Sequence, residues 1–286
     1  MIDNLINFYK NAPFLSKHLY HRLKGQWKWF VIPFISSILL LCLLMFIFNV
    51  NGTEEIKQAR GYFRLAALIS FSFIWVAIYQ SYQLFKKEYF TAKVFNLNPI
   101  FQTIMIAIIS NLLMFIALMM IIIMTPVNIE SSIPSTIYFV VMSIIFVVTI
   151  STVFGLLTIT KNNVNIIFYI LSVIMFFIVP IVFIPSSNST VISHILMLNP
   201  LFYLIEGISQ SVVLGALSLN NIPYHLYFIF LMATVCAVIF AMYRMTAYQK
   251  FRFRNGQVEK TSDTKLKNET NHNENVTAQD TNTNHK

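Results

Sequence analysis

HILMLNPLFYLIEGISQSVVLGALSL, running from His194 to Leu219, is apolar enough to sit in a lipid bilayer. It nevertheless carries Asn199-Pro200 near its start and Glu206, Ser209 and Gln210 in its middle. A segment of this kind either crosses the membrane or enters and leaves on one side. That choice fixes which loops share a side, and with them the topology.

The whole chain belongs to the same solvent. Of 286 residues, 57% are hydrophobic and 11% are charged, with a mean hydropathy of +0.67. A soluble domain carries about 25% charged residues. The excess of 20 Lys and Arg over 11 Asp and Glu gives a net charge of +9. In a membrane protein this is first a topology signal and second a means of binding anionic membrane lipids. The bases are scattered in short clusters between apolar runs, which argues against nucleic acid as a partner. Cys42 and Cys236 lie inside apolar runs and read as small buried hydrophobes rather than a disulfide or metal pair. The first thirty residues lack the short apolar core and cleavage site of a secretory signal.

A crossing helix needs about 20 mostly apolar residues. Six runs meet this: Val31–Val50, Leu65–Phe85, Ile100–Met124, Ile137–Thr160, Val164–Ile184 and Leu226–Tyr243. None contains Lys, Arg, Asp or Glu. Lipid offers the backbone no hydrogen-bond partner, so these runs are expected to be helical, and the short alternating pattern of a barrel is missing. With six crossings, one side collects 17 of the basic residues and the other only Lys57, Arg60 and Arg64. The positive-inside bias then puts both termini in the cytoplasm.

This count decides the opening stretch. Pro185 to His225 holds no Lys or Arg, which suits the outer side. A seventh crossing through Leu201–Leu219 would send the basic tail from Arg244 outside, and would bury Glu206 mid-membrane at a cost of about 3 kcal/mol. A re-entrant helical hairpin over about 191–219 avoids both. Val191–Leu198 descends, Asn199-Pro200 turns the chain, and Leu201–Leu219 returns. Tyr203, Glu206, Gly207 and Gln210 then form one polar stripe at i, i+3, i+4 and i+7.

The expected architecture is therefore an all-α membrane protein in three parts. Residues 1–30 form a cytoplasmic N-terminus, 31–243 the six-helix transmembrane domain with its hairpin between helices five and six, and 244–286 a basic tail that becomes disordered. In the first part, Leu15, Leu19, Leu23 and Trp27 recur every four residues among Lys and Arg. They suggest an amphipathic interfacial helix with Trp27 and Trp29 at the headgroups, or simply a basic flank anchoring the first span. Between the second and third runs, Gln83–Pro99 is short, basic and aromatic. It is either a helix offered to a cytoplasmic partner or an ordinary charged connection. The tail from Asn255 is rich in Asn, Thr, Lys and Glu and cannot bury enough surface to order itself.

Catalytic chemistry is not visible. The chain has no phosphate-cradling G-x-x-x-x-G-K-[ST], no HExxH and no G-x-S-x-G, so neither a catalytic residue nor a metal ligand is assigned. Ion-coupled carriers usually keep ionisable groups within their helices. Spans without them point to work driven by a protein docking from the cytoplasm.

With this layout, the chain resembles the transmembrane permease of a type-2 ABC exporter, and more closely the permeases for lipid-linked polysaccharide or wall teichoic acid. The resemblance rests on Asn199, Pro200, Phe202, Tyr203 and Glu206 after the fifth run, and on SVIMFFIVPIVFIP with Pro180. Gly25 and Pro33 keep the eight-residue spacing common near the family's N-terminus. FKKEYF, Phe85 to Phe90, is similar to the cytoplasmic coupling segment. Departures are Lys161-Asn162 for an Arg-Asp, Val179 for the Ser of Ser-Pro, Ser209 for an Arg, and Lys28 for a Trp.

The resemblance implies a homodimer of six-span subunits in the cytoplasmic membrane, paired with a separate ABC ATPase that holds the ATP and Mg. This chain would carry no cofactor. The ATPase would grip Phe85, Lys86, Lys87, Glu88, Tyr89 and Phe90, and closure would pass the headgroup of a lipid-linked glycan between the subunits. Aromatic faces suit a sugar path. Candidates are Trp27, Trp29, Trp75, Tyr79, Tyr82, Phe168, Tyr169, Phe176 and Phe177, each alternatively an ordinary core or lipid-facing residue. Glu206 either shapes the exit or packs within the hairpin. Other expectations are an ABC exporter of a drug, peptide or lipid, a non-transporting assembly factor, and an ion-coupled carrier.

Overall fold

The computed structural model describes residues 17, 20, 21, 23–94, 99–124, 130–160, 163–181 and 190–246. Two compact units divide the chain at Ile239/Phe240. The first holds every feature discussed below, and the described part of the second, residues 240–246, is helical. No strand occurs among the described residues.

Eight helices follow one another: α1 (Lys28–Asn51), α2 (Glu55–Val94), α3 (Ile100–Met124), α4 (Ile133–Thr160), α5 (Val164–Ile178), α6 (Thr190–Met197), α7 (Pro200–Val213) and α8 (Ile222–Thr246). A 3-10 turn over Gly215–Asn220 links the last two. Five are long and apolar enough to cross a membrane: α1, α2 over Glu55–Phe85, α3, α4 and α8. These mark a multi-pass membrane protein.

The helix ends follow local chemistry. Gly52 closes α1 in the left-handed conformation (φ +56°), and the Thr53 N–H donates to the Phe48 carbonyl at 3.2 Å. That conformation suits a residue without Cβ. Asn199 starts α7 by accepting from the Leu201 N–H at 3.1 Å, while Pro200 fills the first helical position, where no donor is needed. The break at Leu198-Asn199 is sharp. The axes of α6 and α7 bend by 107°.

The core is built from α2, α3, α4 and α7, which pack on one another, while α1, α5 and α6 lie outside them. The stretch that opened the sequence analysis is thus the inner part of the molecule: eleven residues of α7, from Leu201 to Val213, are buried. Small residues let it approach α4. A Cβ on Gly207 would stand 2.2 Å from the Phe139 ring. Polar side chains then join the helices. Asn111 donates to the Ala107 carbonyl at 2.8 Å and accepts from Ser143 of α4. Ser110 donates to the Phe73 carbonyl of α2 at 3.2 Å. Ser135, Ser211 and Ser218 form a knot with separations of 2.7, 2.5 and 3.0 Å, fastening the start of α4 to α7 and the 3-10 turn. In lipid such bonds hold helices together where apolar burial alone drives little association.

Several expectations shift. The second apolar run ends at Phe85 as expected, but its helix is longer at both ends, from Glu55 unbroken to Val94. Lys86, Lys87, Glu88 and Lys93 lower the apolarity but, with Ala92, favour helix, so a hydropathy boundary is not a helix boundary. The fifth run, expected to be helical over Val164–Ile184, yields a 15-residue helix, α5, that ends at Ile178 with Val179 extended and Pro180 in a turn, and residues 182–184 of the run lie outside the described residues. The segment expected as a returning arm, Leu201–Leu219, is α-helical only to Val213, then becomes the 3-10 turn, which opens at Gly215 with φ +69°. Cys42 and Cys236 are free, as read, but exposed rather than buried. They lie on α1 and α8, which turn most of their surface outward. Lys17, Tyr20, His21 and Leu23–Gly25 are helical, with a turn at Gln26-Trp27 before α1. Leu15 and Leu19 of the apolar stripe lie outside the described residues, as does the tail from residue 247.

Candidate functional site

Along α2, Phe71, Trp75, Tyr79 and Tyr82 follow at spacings of four, four and three, so one face of the helix carries an aromatic column. Along α5, Asn165, Phe168, Tyr169, Ser172 and Phe176 repeat in the same way. The two faces meet. Trp75 stacks on Phe71 at 5.6 Å and on Phe168 at 5.2 Å, and Phe71 meets Phe176 edge-on at 5.7 Å. Tyr82 lies 5.1 Å from Phe168, and Tyr79 lies 5.6 Å from it.

A polar seam runs beside the rings. The Trp75 indole N–H donates to Ser172 Oγ at 2.5 Å. Tyr79 and Tyr169 hydroxyls stand 3.4 Å apart. Tyr82 Oη and Gln83 Nε2 both donate to Asn165 Oδ1, at 3.1 and 2.8 Å. Trp29 of α1 approaches Tyr79 from the other side at 5.6 Å. Tyr82 and Phe168 are fully buried anchors, whereas Trp29, Tyr169 and Phe177 are about half exposed. The lane therefore has a fixed floor and an open rim of rings with hydroxyl, amide and indole groups at hand. Such a surface can stack on the apolar faces of sugars and hydrogen-bond their edges.

The candidates separate on this geometry. Trp29, Trp75, Tyr79, Tyr82, Phe168, Tyr169 and Phe176 belong to one connected set, and Phe177 touches it through Phe176 at 5.7 Å. Trp27 is exposed at the turn before α1 and has no ring contact with this set among the described residues. Asn165, Ser172 and Gln83 were missed as members, since nothing in their own spacing shows that α5 lies against α2. The hydrophobic period of α5 could have revealed them. Its outward side is Ile166, Ile167, Ile170, Val173 and Ile174, which leaves Asn165 and Ser172 on the side that meets α2.

The hairpin residues do not act as a single stripe. Tyr203 and Gly207 are packing elements: Tyr203 bonds through its hydroxyl to Nδ1 of His225, and Gly207 admits Phe139. His225 Nε2 in turn donates to the Leu219 carbonyl at 3.2 Å, and Nδ1 of a neutral ring in this position accepts from Tyr203. Tyr224 bonds His194 of α6, and the Tyr227 hydroxyl donates to the Leu198 carbonyl at 3.1 Å. The first turns of α8 thus hold both arms of the bent pair. Glu206 and Gln210 remain as a half-buried couple, with Gln210 Nε2 donating to Glu206 Oε1 at 3.0 Å. Glu206 Oε2 has no hydrogen-bond partner among the described residues.

The segment read as an ATPase contact lies on the last turns of α2. Phe85 and Tyr89 are buried, with rings 5.9 Å apart. Phe85 fills the space left by Gly155 of α4, where a Cβ would stand 2.5 Å from the ring. These two aromatics anchor the segment. The side chains of Lys86, Lys87, Glu88 and Phe90 lie outside the described set. Neither protein-family models nor curated proteins give a match to this chain.

Proposed function

We propose that this chain is the permease subunit of an ATP-driven exporter that moves a lipid-linked polysaccharide or wall teichoic acid polymer across the cytoplasmic membrane. Two copies pair with a separate ABC ATPase. The observation that carries the reading is the α2–α5 aromatic lane, half open and edged by Asn165, Ser172 and Gln83. It offers stacking surface together with neutral hydrogen-bonding groups, which is what a glycan headgroup requires. The motor is elsewhere, because the six apolar runs contain no Lys, Arg, Asp or Glu with which to bind a coupling ion.

Both termini are cytoplasmic in this reading, and α6 and α7 form the re-entrant hairpin. The bend supports that arrangement. Arms of eight and fourteen residues are about 12 and 21 Å long, and a 107° bend leaves their ends about 21 Å apart, short of a hydrocarbon core of about 30 Å. In this reading the sixth crossing is the apolar run Val164–Ile184, of which α5 forms the first fifteen residues.

The test is affinity purification of the detergent-extracted protein. An ABC ATPase is expected to accompany it at one copy per permease, and the double substitution Lys86→Glu/Lys87→Glu is expected to reduce that recovery at least about tenfold, through charge reversal at a docking contact. Transport by the permease alone in proteoliposomes, without nucleotide, would refute the proposal.

A further inference from the structure

The aromatic face of α2 does not end at Phe71. Towards the start of the helix the same face continues with Arg64 and Arg60, since 60, 64, 71, 75 and 82 are separated by four, seven, four and seven residues. Arg64 lies about 10 Å along the axis from Phe71. Both arginines are exposed, and neither has an ion pair among the described residues; Lys57, one turn earlier, is held by Glu54 at 3.3 Å.

Helix energetics do not account for the pair. Like charges at i and i+4 repel. That cost vanishes when an anion sits between the guanidinium groups. Two arginines a turn apart offer forked donors matched to phosphate oxygens. In the sequence, Lys57, Arg60 and Arg64 are the only bases between the first apolar run and Lys86. Two of the three top the aromatic lane.

We infer that Arg60 and Arg64 form a binding site for phosphodiester groups at the mouth of the lane, supplied either by the transported polymer or by a lipid headgroup. The inference rests on the exporter reading for its place in transport, though not for the binding itself. Within that reading it gives phosphate of the cargo, along its length or at the lipid link, a binding site on this chain. Stacking on Trp75 and Tyr79 handles sugar or polyol units, and the arginines receive the charge that follows them.

The experiment uses the full-length permease in nanodiscs of phosphatidylcholine, with a fluorescent oligo(glycerol phosphate) as probe and a dextran oligomer of similar length as the neutral control. Wild type is expected to bind the phosphate oligomer in preference to dextran, more weakly as salt rises. Arg60→Gln/Arg64→Gln is expected to lower that affinity at least about tenfold, as loss of charge-assisted hydrogen bonds requires, and Arg60→Lys/Arg64→Lys to restore part of it. Unchanged melting temperature and unchanged ATPase recovery in the double Gln variant show that the fold and the complex survive.

Nanodiscs containing phosphatidylglycerol separate the two sources. Displacement of the oligomer, with phosphatidylglycerol retained by wild type but lost from the double Gln variant in native mass spectra, assigns the site to lipid phosphate. Persistence of oligomer binding assigns it to the polymer. Equal binding by wild type and the double Gln variant, or dextran bound as tightly as the phosphate oligomer, would overturn the site even if the ATPase still co-purifies. Phosphate binding without any ATPase would keep the site and sink the exporter reading.

Discussion

Gly207 shows how much one residue decides. It sits on the most buried helix, and any side chain there meets Phe139, itself buried, within 2.2 Å. Because that ring is itself packed among Tyr138, Tyr203 and His225, Gly207→Val is expected to destabilise the protein by about 1–3 kcal/mol through overpacking, seen as a lower melting temperature in detergent. An unchanged melting curve would mean that α4 and α7 are not in contact as described. The glycine was visible in the sequence as part of a polar stripe with Tyr203, Glu206 and Gln210, but its purpose was not. Periodicity tells which residues share a face of their own helix and says nothing of which ring occupies the facing surface. The same blindness hid Asn165 and Ser172, whose partners Tyr82 and Trp75 stand more than 80 residues away.

For the elements, Asn199-Pro200 was the most legible signal in the chain. An Asn cap and a Pro at the first helical position define a start that few contexts override, and α7 begins there. The reach of α2 beyond Phe85 was illegible for the opposite reason: apolarity reports membrane crossing, whereas Lys, Glu and Ala sustain a helix beyond it. The hairpin carries its own prediction. Val191 on α6 and Leu217 on the 3-10 turn are 71% and 59% exposed, unlike Ser218, which is buried in the serine knot. Single cysteines at Val191 and Leu217, in a background lacking Cys42 and Cys236, are expected to react with a membrane-impermeant maleimide from the outside of intact cells. Labelling of the two positions from opposite sides would make α6 and α7 one broken crossing and move the C-terminus outside.

Taken whole, the molecule has a packed interior of α2, α3, α4 and α7 and a looser periphery whose long apolar faces look outward. The aromatic lane lies between the two, with Tyr82 and Phe168 in the interior and Tyr169 and Trp29 on the rim. On the exporter reading, the rim groups would meet the cargo while the buried anchors hold the fold. Tyr79→Ala/Tyr169→Ala is therefore expected to slow polymer export by about tenfold, comparable to one stacking contact of about 1–3 kcal/mol, at constant ATPase recovery. Full export by that variant would remove the lane from the route. The unbroken run of α2 has a mechanical corollary. Forty residues make a rod of about 60 Å, twice the depth of the hydrocarbon layer. It contains no proline to act as a joint, and Arg60 lies near one end and the packed Phe85–Tyr89 pair near the other. On the exporter reading proposed above, a push from an ATPase at the inner end and an opening at the outer end would be one movement rather than two events in sequence.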